Sequence, residues 1–234
     1  AGLNMPYLYL NYDEAYAVLD SEVGQSWLQK AQEDTTTIPL AFFDIGFREL
    51  TCNNEVHTPD DLKGVKIRVM PDPIQTATWE ALGCAVTPVA YSELYTALQQ
   101  GTIDAQENPF EVIYANRLYE QQDYVILTNH LPASHNLLIS QVVYNGLSDT
   151  DKELIMAVGK AAIQYSREQC DARLSERMDL VAQTAPRSWS SPPTFWGSCR
   201  TSAPASMTRS APPTAMSWWT CRSAPLRNTP ERNV

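Results

Sequence analysis

Thr58-Pro59-Asp60-Asp61-Leu62-Lys63-Gly64-Val65-Lys66-Ile67-Arg68-Val69-Met70 is the stretch on which the fold turns. It opens as a helix and closes as a strand. Thr58 suits an N-cap, Pro59 fits the first helical position, and Asp60 and Asp61 occupy the positively polarised first turn. Gly64 stops that helix after a single turn. The residues that follow alternate, with Val65, Ile67 and Val69 on one face of a strand and Lys66 and Arg68 on the other.

The same alternation of signals extends outward in both directions. Downstream, residues 73–82 read as a helix closed by Gly83, and 85–89 as a strand. Residues 92–100 are a helix closed by Gly101, 103–106 a short strand, and 110–121 another helix. Strands are expected near 124–128 and 137–143. Ser148 then caps a long helix running to about Gln183, with Asp151 at the third following position. Upstream, 12–30 reads as one helix with an approximate stripe of Ala15, Val18, Leu19, Val23, Trp27 and Leu28, and 38–43 as a short strand. Strands and helices in this order make an α/β protein. In such sheets ligands lie beyond the carboxyl ends of the strands. That places Arg48, Arg68, Thr87, Tyr91 and Asn108 among the candidates for chemistry.

Composition narrows the function classes. The chain has 234 residues, is 44% hydrophobic and carries a net charge of −10, with a pI near 4.7. So acidic a chain repels phosphates, which argues against nucleic acid and anionic membrane surfaces as partners. No apolar run reaches the roughly 18 residues of a membrane-spanning helix. No signal peptide is visible and the chain opens at Ala1, so either a leader has been removed or the sequence begins part-way into a longer protein. Cys52, Cys84, Cys170, Cys199 and Cys221 are widely spaced with no C-x-x-C, which fits neither a zinc site nor a redox motif. The first three read as ordinary buried thiols. His130 and His135 are five apart, off a shared helix face, so no metal pair is expected and no cofactor is implied.

The averages conceal a break near residue 185. Residues before it hold 26 of the 27 acidic residues and every lysine. From Pro186 onward the chain is rich in Ser, Pro, Arg and Trp, with Glu231 its only acid. No hydrophobic period survives there. A disordered linker would be poor in Trp and Cys. GC-rich coding DNA read in a wrong frame yields this composition, so 186–234 is expected to be a frameshifted or disordered tail on a body spanning 1–185.

Within the body, Gly46-Phe47-Arg48-Glu49-Leu50-Thr51 resembles the G-x-R-x-x-T of the tripartite ATP-independent periplasmic (TRAP) transporter solute-binding proteins. The opening stretch, the run Gly83 to Gly101 (GCAVTPVAYSELYTALQQG), Ile103 to Phe110 (IDAQENPF) and Tyr124 to His130 (YVILTNH) resemble the same family in order and at its spacing. The similarity covers roughly residues 5–183. In the family, the part resembling Met5-Pro6-Tyr7-Leu8 lies well inside the chain. The sequence is therefore expected to be an internal fragment lacking the N-terminal part.

The resemblance implies a two-lobed periplasmic-binding-protein-like fold with a long connecting helix. It implies capture of a small organic acid, periplasmic localisation, and delivery to integral membrane subunits, with no catalysis. It places the carboxylate anchor at Arg68, where a planar guanidinium offers two parallel N–H donors that lysine cannot reproduce. Arg48 is implied as a second cationic contact, with a salt bridge to Glu49 or Asp44 as the alternative. Asn108 is implied as an amide contact, against a turn before Pro109. Tyr91 is implied as an aromatic wall, against simple packing. Phe47, Met70, Thr87 and Glu107 follow as lining residues, and Glu107 could as easily hold an arginine as touch a ligand. Two other readings stand beside it. One is a ligand-sensing domain of the same fold. The other is an enzyme, for which no phosphate loop or nucleophile motif is present.

Overall fold

The computed structural model describes residues 4–9, 11–184 and 188–190. Its frame is one mixed sheet of six strands in the order β3-β2-β4-β1-β5-β6. The strands are β1 (Thr37–Cys52), β2 (Lys66–Val69), β3 (Ala85–Pro88), β4 (Ala105–Pro109), β5 (Tyr124–Ser140) and β6 (Ser188–Ser190). β2 runs parallel to both β3 and β4, whereas β1 is antiparallel to β4 and β5.

Among the described residues seven α-helices accompany the sheet: α1 (Tyr12–Leu19), α2 (Glu22–Asp34), α3 (Pro73–Ala81), α4 (Leu94–Gln99), α5 (Phe110–Ala115), α6 (Gln141–Asn145) and α7 (Asp149–Thr184). The expected single helix over 12–30 is divided. Ser21 accepts a hydrogen bond from the Val23 N–H and starts α2 as a new helix. At the corner between them, a Cβ on Gly24 would lie 1.9 Å from the Leu19 carbonyl oxygen, so only glycine permits this approach. The one-turn helix at Thr58 is a 3₁₀ turn, Pro59–Leu62, where Asp61 accepts from the backbone N–H groups of His57 and Thr58. Residues 110–121 break at Arg117, whose φ of 52° is left-handed. The chain then resumes as a 3₁₀ turn over Leu118–Gln121.

Two strands are far longer than the sequence signals. Where local pattern gives 38–43, β1 runs for 16 residues. Where it gives separate strands near 124–128 and 137–143, β5 runs for 17, and Gln141–Asn145 is helical. The two pair along most of their lengths, with register shifts at Pro39/Ala41, Asp44/Phe47 and Arg48/Leu50. The bulges interrupt the two-residue period, and this conceals a continuous strand from pattern reading.

Three apolar clusters fill the molecule. Leu50, Ile67, Val69, Trp79 of α3 and Ile126 share one. Leu94, Leu98, Phe110, Ile113, Val125 and Val181 of α7 share a second. Val125 and Ile126 fall in different clusters because successive strand residues face opposite ways. The third cluster, Leu19, Leu28 and Phe42, lies toward the other end of β1.

The long helix α7 spans these ends. Arg167 forms a two-point ion pair with Asp20 (2.7 and 2.9 Å), while Arg177 donates to Glu111 of α5 at 2.8 Å. Its N-terminus is the expected one, with the Asp151 N–H donating to Ser148 Oγ at 3.2 Å. Among the described residues, no helix is long and apolar enough to cross a membrane. Cys52 and Cys84 are buried free thiols, while Cys170 is only half-buried. The segment from Pro186 onward lies outside the described residues except for Ser188–Ser190, which pair in parallel with Tyr124–Ile126.

Candidate functional site

The carboxyl ends of the parallel strands β3, β2 and β4 bring Thr87, Arg68 and Asn108 to one edge of the sheet, with Thr87 in register with Arg68. β1 joins them antiparallel, with Arg48 opposite Pro109. Arg48 is thus not at a strand end, as local pattern implies, but well inside β1.

Arg48, Glu107 and Asn108 form a closed group. Arg48 donates from Nε and Nη2 to the Glu107 carboxylate, and from Nη2 to the Glu107 carbonyl (2.7 Å) and to Asn108 Oδ1 (3.0 Å). Among the described residues the acid that pairs with Arg48 is therefore Glu107 and not Glu49, while the side chain of Asp44, the other alternative, lies outside them. Strand alternation turns Glu49 away, and it accepts instead from the Asn129 N–H at 2.7 Å. Burial raises the Glu49 carboxyl well above the usual range, against a smaller lowering by the N–H groups of Asn129 and Thr128.

Glu107 is fully buried. Burial alone would raise its pKa. The Arg48 charge and the hydrogen bonds from His130 and Arg48 outweigh burial and bring it down to about 2. His130 Nε2 lies 3.0 Å from Glu107 Oε2, and Nδ1 lies 2.9 Å from the Thr128 hydroxyl. A carboxylate only accepts, so Nε2 donates to Glu107. The Trp79 ring meets His130 edge-on, 5.3 Å between centroids. From Asn108 the network continues: Nδ2 donates to Gln106, Gln106 to the Thr51 hydroxyl, and that hydroxyl to Gln122.

Arg68 differs from Arg48. It is 1% exposed, yet among the described residues its guanidinium makes one hydrogen bond, from Nε to the Val89 carbonyl at 2.9 Å. Its Nη1 is buried with no partner among them. The Tyr91 ring lies 6.0 Å from the guanidinium carbon. Burial lowers the Arg68 pKa, Glu107 offsets this, and Arg48 adds to the lowering. Arginine nonetheless stays charged.

The other expected residues are spread around this centre. Tyr91 is about half exposed, at the start of the 3₁₀ turn Tyr91–Glu93. Phe47 is buried against Tyr12 of α1, with ring centroids 4.9 Å apart, and its N–H donates to the Tyr12 hydroxyl. Met70 is half-buried in the loop after β2, and Thr87 is exposed on the edge strand. Sequence reading missed His130, Gln75 and Trp79 as members of this region. In the sequence His130 closes the stretch Tyr124 to His130 and pairs with no metal-ligand spacing, and nothing local links it to Glu107, 23 residues away.

With this geometry in place, comparison with known proteins is informative. The family model for bacterial extracellular solute-binding protein, family 7, matches residues 1–184. A solute-binding protein of Roseobacter denitrificans is 36% identical over 165 residues, 70% of this chain and 51% of its own. The 2,3-diketo-L-gulonate-binding periplasmic protein YiaO of Escherichia coli is 32% identical over 167 residues, 71% of this chain and 51% of its own. The crystal structure of a TRAP periplasmic solute-binding protein from Roseobacter denitrificans with bound L-galactonate superposes with a TM-score of 0.84. It is 28% identical, covering 93% of this chain and 71% of that one. The chain spans about half the length of the curated relatives it matches.

Proposed function

The chain belongs to the bacterial extracellular solute-binding proteins of family 7, the TRAP solute-binding family, and we propose that it captures a small carboxylate of the sugar-acid class for delivery to membrane transport subunits. In this reading it works in the periplasm and returns its ligand chemically unchanged. The sugar-acid class is taken from the relatives that bind 2,3-diketo-L-gulonate and L-galactonate.

The observation that carries the reading is the contrast between the two arginines. Arg48 already has its counter-charge in Glu107. Among the described residues Arg68 is buried without an ion-pair partner and has an unpartnered donor. A buried cation is costly unless an anion completes it. A ligand carboxylate is the group whose two oxygens match the two terminal nitrogens of the fork. Asn108 has its oxygen occupied by Arg48 and one amide proton by Gln106. What it can still offer is a second donor, which also suits a carboxylate.

The test is a thermal-shift and calorimetric titration of the protein with L-galactonate, 2,3-diketo-L-gulonate and succinate. A ligand at 100 times its Kd adds about 2.7 kcal/mol of stability. A shift that disappears in Arg68→Ala is the expected result. A folded protein that responds to none of the acids, or an Arg68→Ala variant that binds as well as the parent, would overturn the reading.

A further inference from the structure

Gln75 lies in the first turn of α3, in the segment that leaves β2 directly after Arg68, Val69 and Met70. It is 4% exposed, and both its amide nitrogen and its amide oxygen are buried without a partner among the described residues. Native proteins seldom leave such a group unmatched, because an unmade hydrogen bond in the interior forfeits the hydration the group had in water.

Its place on the helix says what it faces. Trp79 is four residues on and therefore on the same face of α3. Trp79 meets His130, which holds Glu107, whose charge acts on Arg68. The N-terminal segment borders the same region. Asn4 donates to Asp72, the cap of α3, at 2.9 Å, and the Tyr7 N–H donates to the His130 carbonyl at 2.7 Å. Two residues further on, the Tyr9 hydroxyl is also buried with no partner among the described residues. Two uncharged polar side chains are thus held ready on elements bordering the arginine centre.

We propose that Gln75 is a specificity-determining residue whose amide reads a hydroxyl group of the bound acid. This rests on the carboxylate reading above and deepens it. An amide both donates and accepts, and a hydroxyl is the ligand group that can use both functions at one atom. A carboxylate uses only the donor, and an alkyl chain uses neither. The ligand class is accordingly a polyhydroxylated monocarboxylate, its charge on Arg68 and a chain hydroxyl on Gln75, with the Tyr9 hydroxyl available to a second.

The experiment compares L-galactonate with hexanoate, which keeps the six-carbon acid and lacks the hydroxyls. Kd is measured by calorimetry for the parent protein, Gln75→Leu and Arg68→Ala, alongside the Tm of each without ligand. Gln75→Leu is expected to weaken L-galactonate at least tenfold, leave hexanoate unchanged, and keep or raise the ligand-free Tm. Arg68→Ala is expected to weaken both acids. An unchanged Kd for L-galactonate in Gln75→Leu, with loss in Arg68→Ala, overturns the role of Gln75 and leaves the carboxylate reading standing. A lowered ligand-free Tm with unchanged Kd also overturns it, because the amide then serves only a buried water. If the parent protein binds neither acid, the role of Gln75 is overturned, and the carboxylate reading falls with it when 2,3-diketo-L-gulonate and succinate also fail to bind.

Discussion

Arg48 and Glu107 pair inside the protein through two side-chain contacts and a third from Arg48 to the Glu107 carbonyl at 2.7 Å. Both side chains are almost entirely buried, at 5% and 0% exposure. The pair therefore acts as a built-in charge frame. It ties β1 to β4 beside Arg68, whose Nη1 is buried without a partner among the described residues.

Removing the acid from that frame should be costly. Glu107→Gln strands the Arg48 charge in the interior and is expected to lose about 3–5 kcal/mol of stability at neutral pH, read from urea unfolding.

The same pair predicts a pH dependence. The Glu107 pKa falls from 4.5 to about 2 on folding, so its contribution is fully present above about pH 4.5. It is lost as pH drops through about 2, because the unfolded chain takes up the proton first. Unfolding free energies measured over this window should fall more steeply for the parent than for Glu107→Gln. Parallel curves would contradict the assignment.

Glu49 carries the opposite sign. Burial raises its pKa well above 4.5, and the N–H groups of Asn129 and Thr128 offset this only in part. Its contribution is present below the unfolded value and declines as pH rises through the folded one. Glu49→Gln keeps an acceptor for the Asn129 N–H and removes the ionisation, so it should stabilise the protein near neutral pH and leave it unchanged in acid. Unfolding at the two pH values checks this, and a destabilised variant at neutral pH would refute it.

Arg68 should show a conflict between stability and binding. Arg68→Met removes an incompletely matched buried charge while keeping much of the volume, and it is expected to hold or raise the ligand-free Tm. It should also weaken carboxylate binding by about 2–5 kcal/mol. Arg68→Lys keeps the charge but not the fork, and should recover little of the affinity.

The corner between α1 and α2 offers a prediction far from the site. Gly24→Ala places a methyl group on the backbone of Leu19, where no side chain can yield, and should cost about 1–3 kcal/mol. Chemical unfolding of the single variant is sufficient to measure it.

Much of the architecture was legible because it is written in local chemistry. The Thr58–Asp61 turn, α3 after Pro73 and the Ser148 start of α7 each depend on residues within a few positions, and they occur where cap and breaker residues place them. The misread elements depend on partners elsewhere. The length of β1 and β5 comes from their mutual pairing across bulges, and the division of 12–30 reflects how closely two helices can approach at Gly24. Of the candidate site, only the identities of its residues were open to sequence reading. Arg48, Arg68, Glu107 and Asn108 stood out through the resemblance of their motifs, but their roles relative to one another did not.

By itself, then, the sequence determined the α/β class, the order and most starts of the helices, and the short motifs that carry the arginines, because caps, turns and alternation act over one or two turns of chain. Only the tertiary structure decided that Arg48 is matched and Arg68 is not, that His130 supports Glu107, and that Gln75 is buried with its amide unspent. Those are properties of charge and hydrogen-bond matching between residues up to 60 positions apart. Whether a buried polar group has a partner depends on which strands meet in space, and no local pattern carries that information.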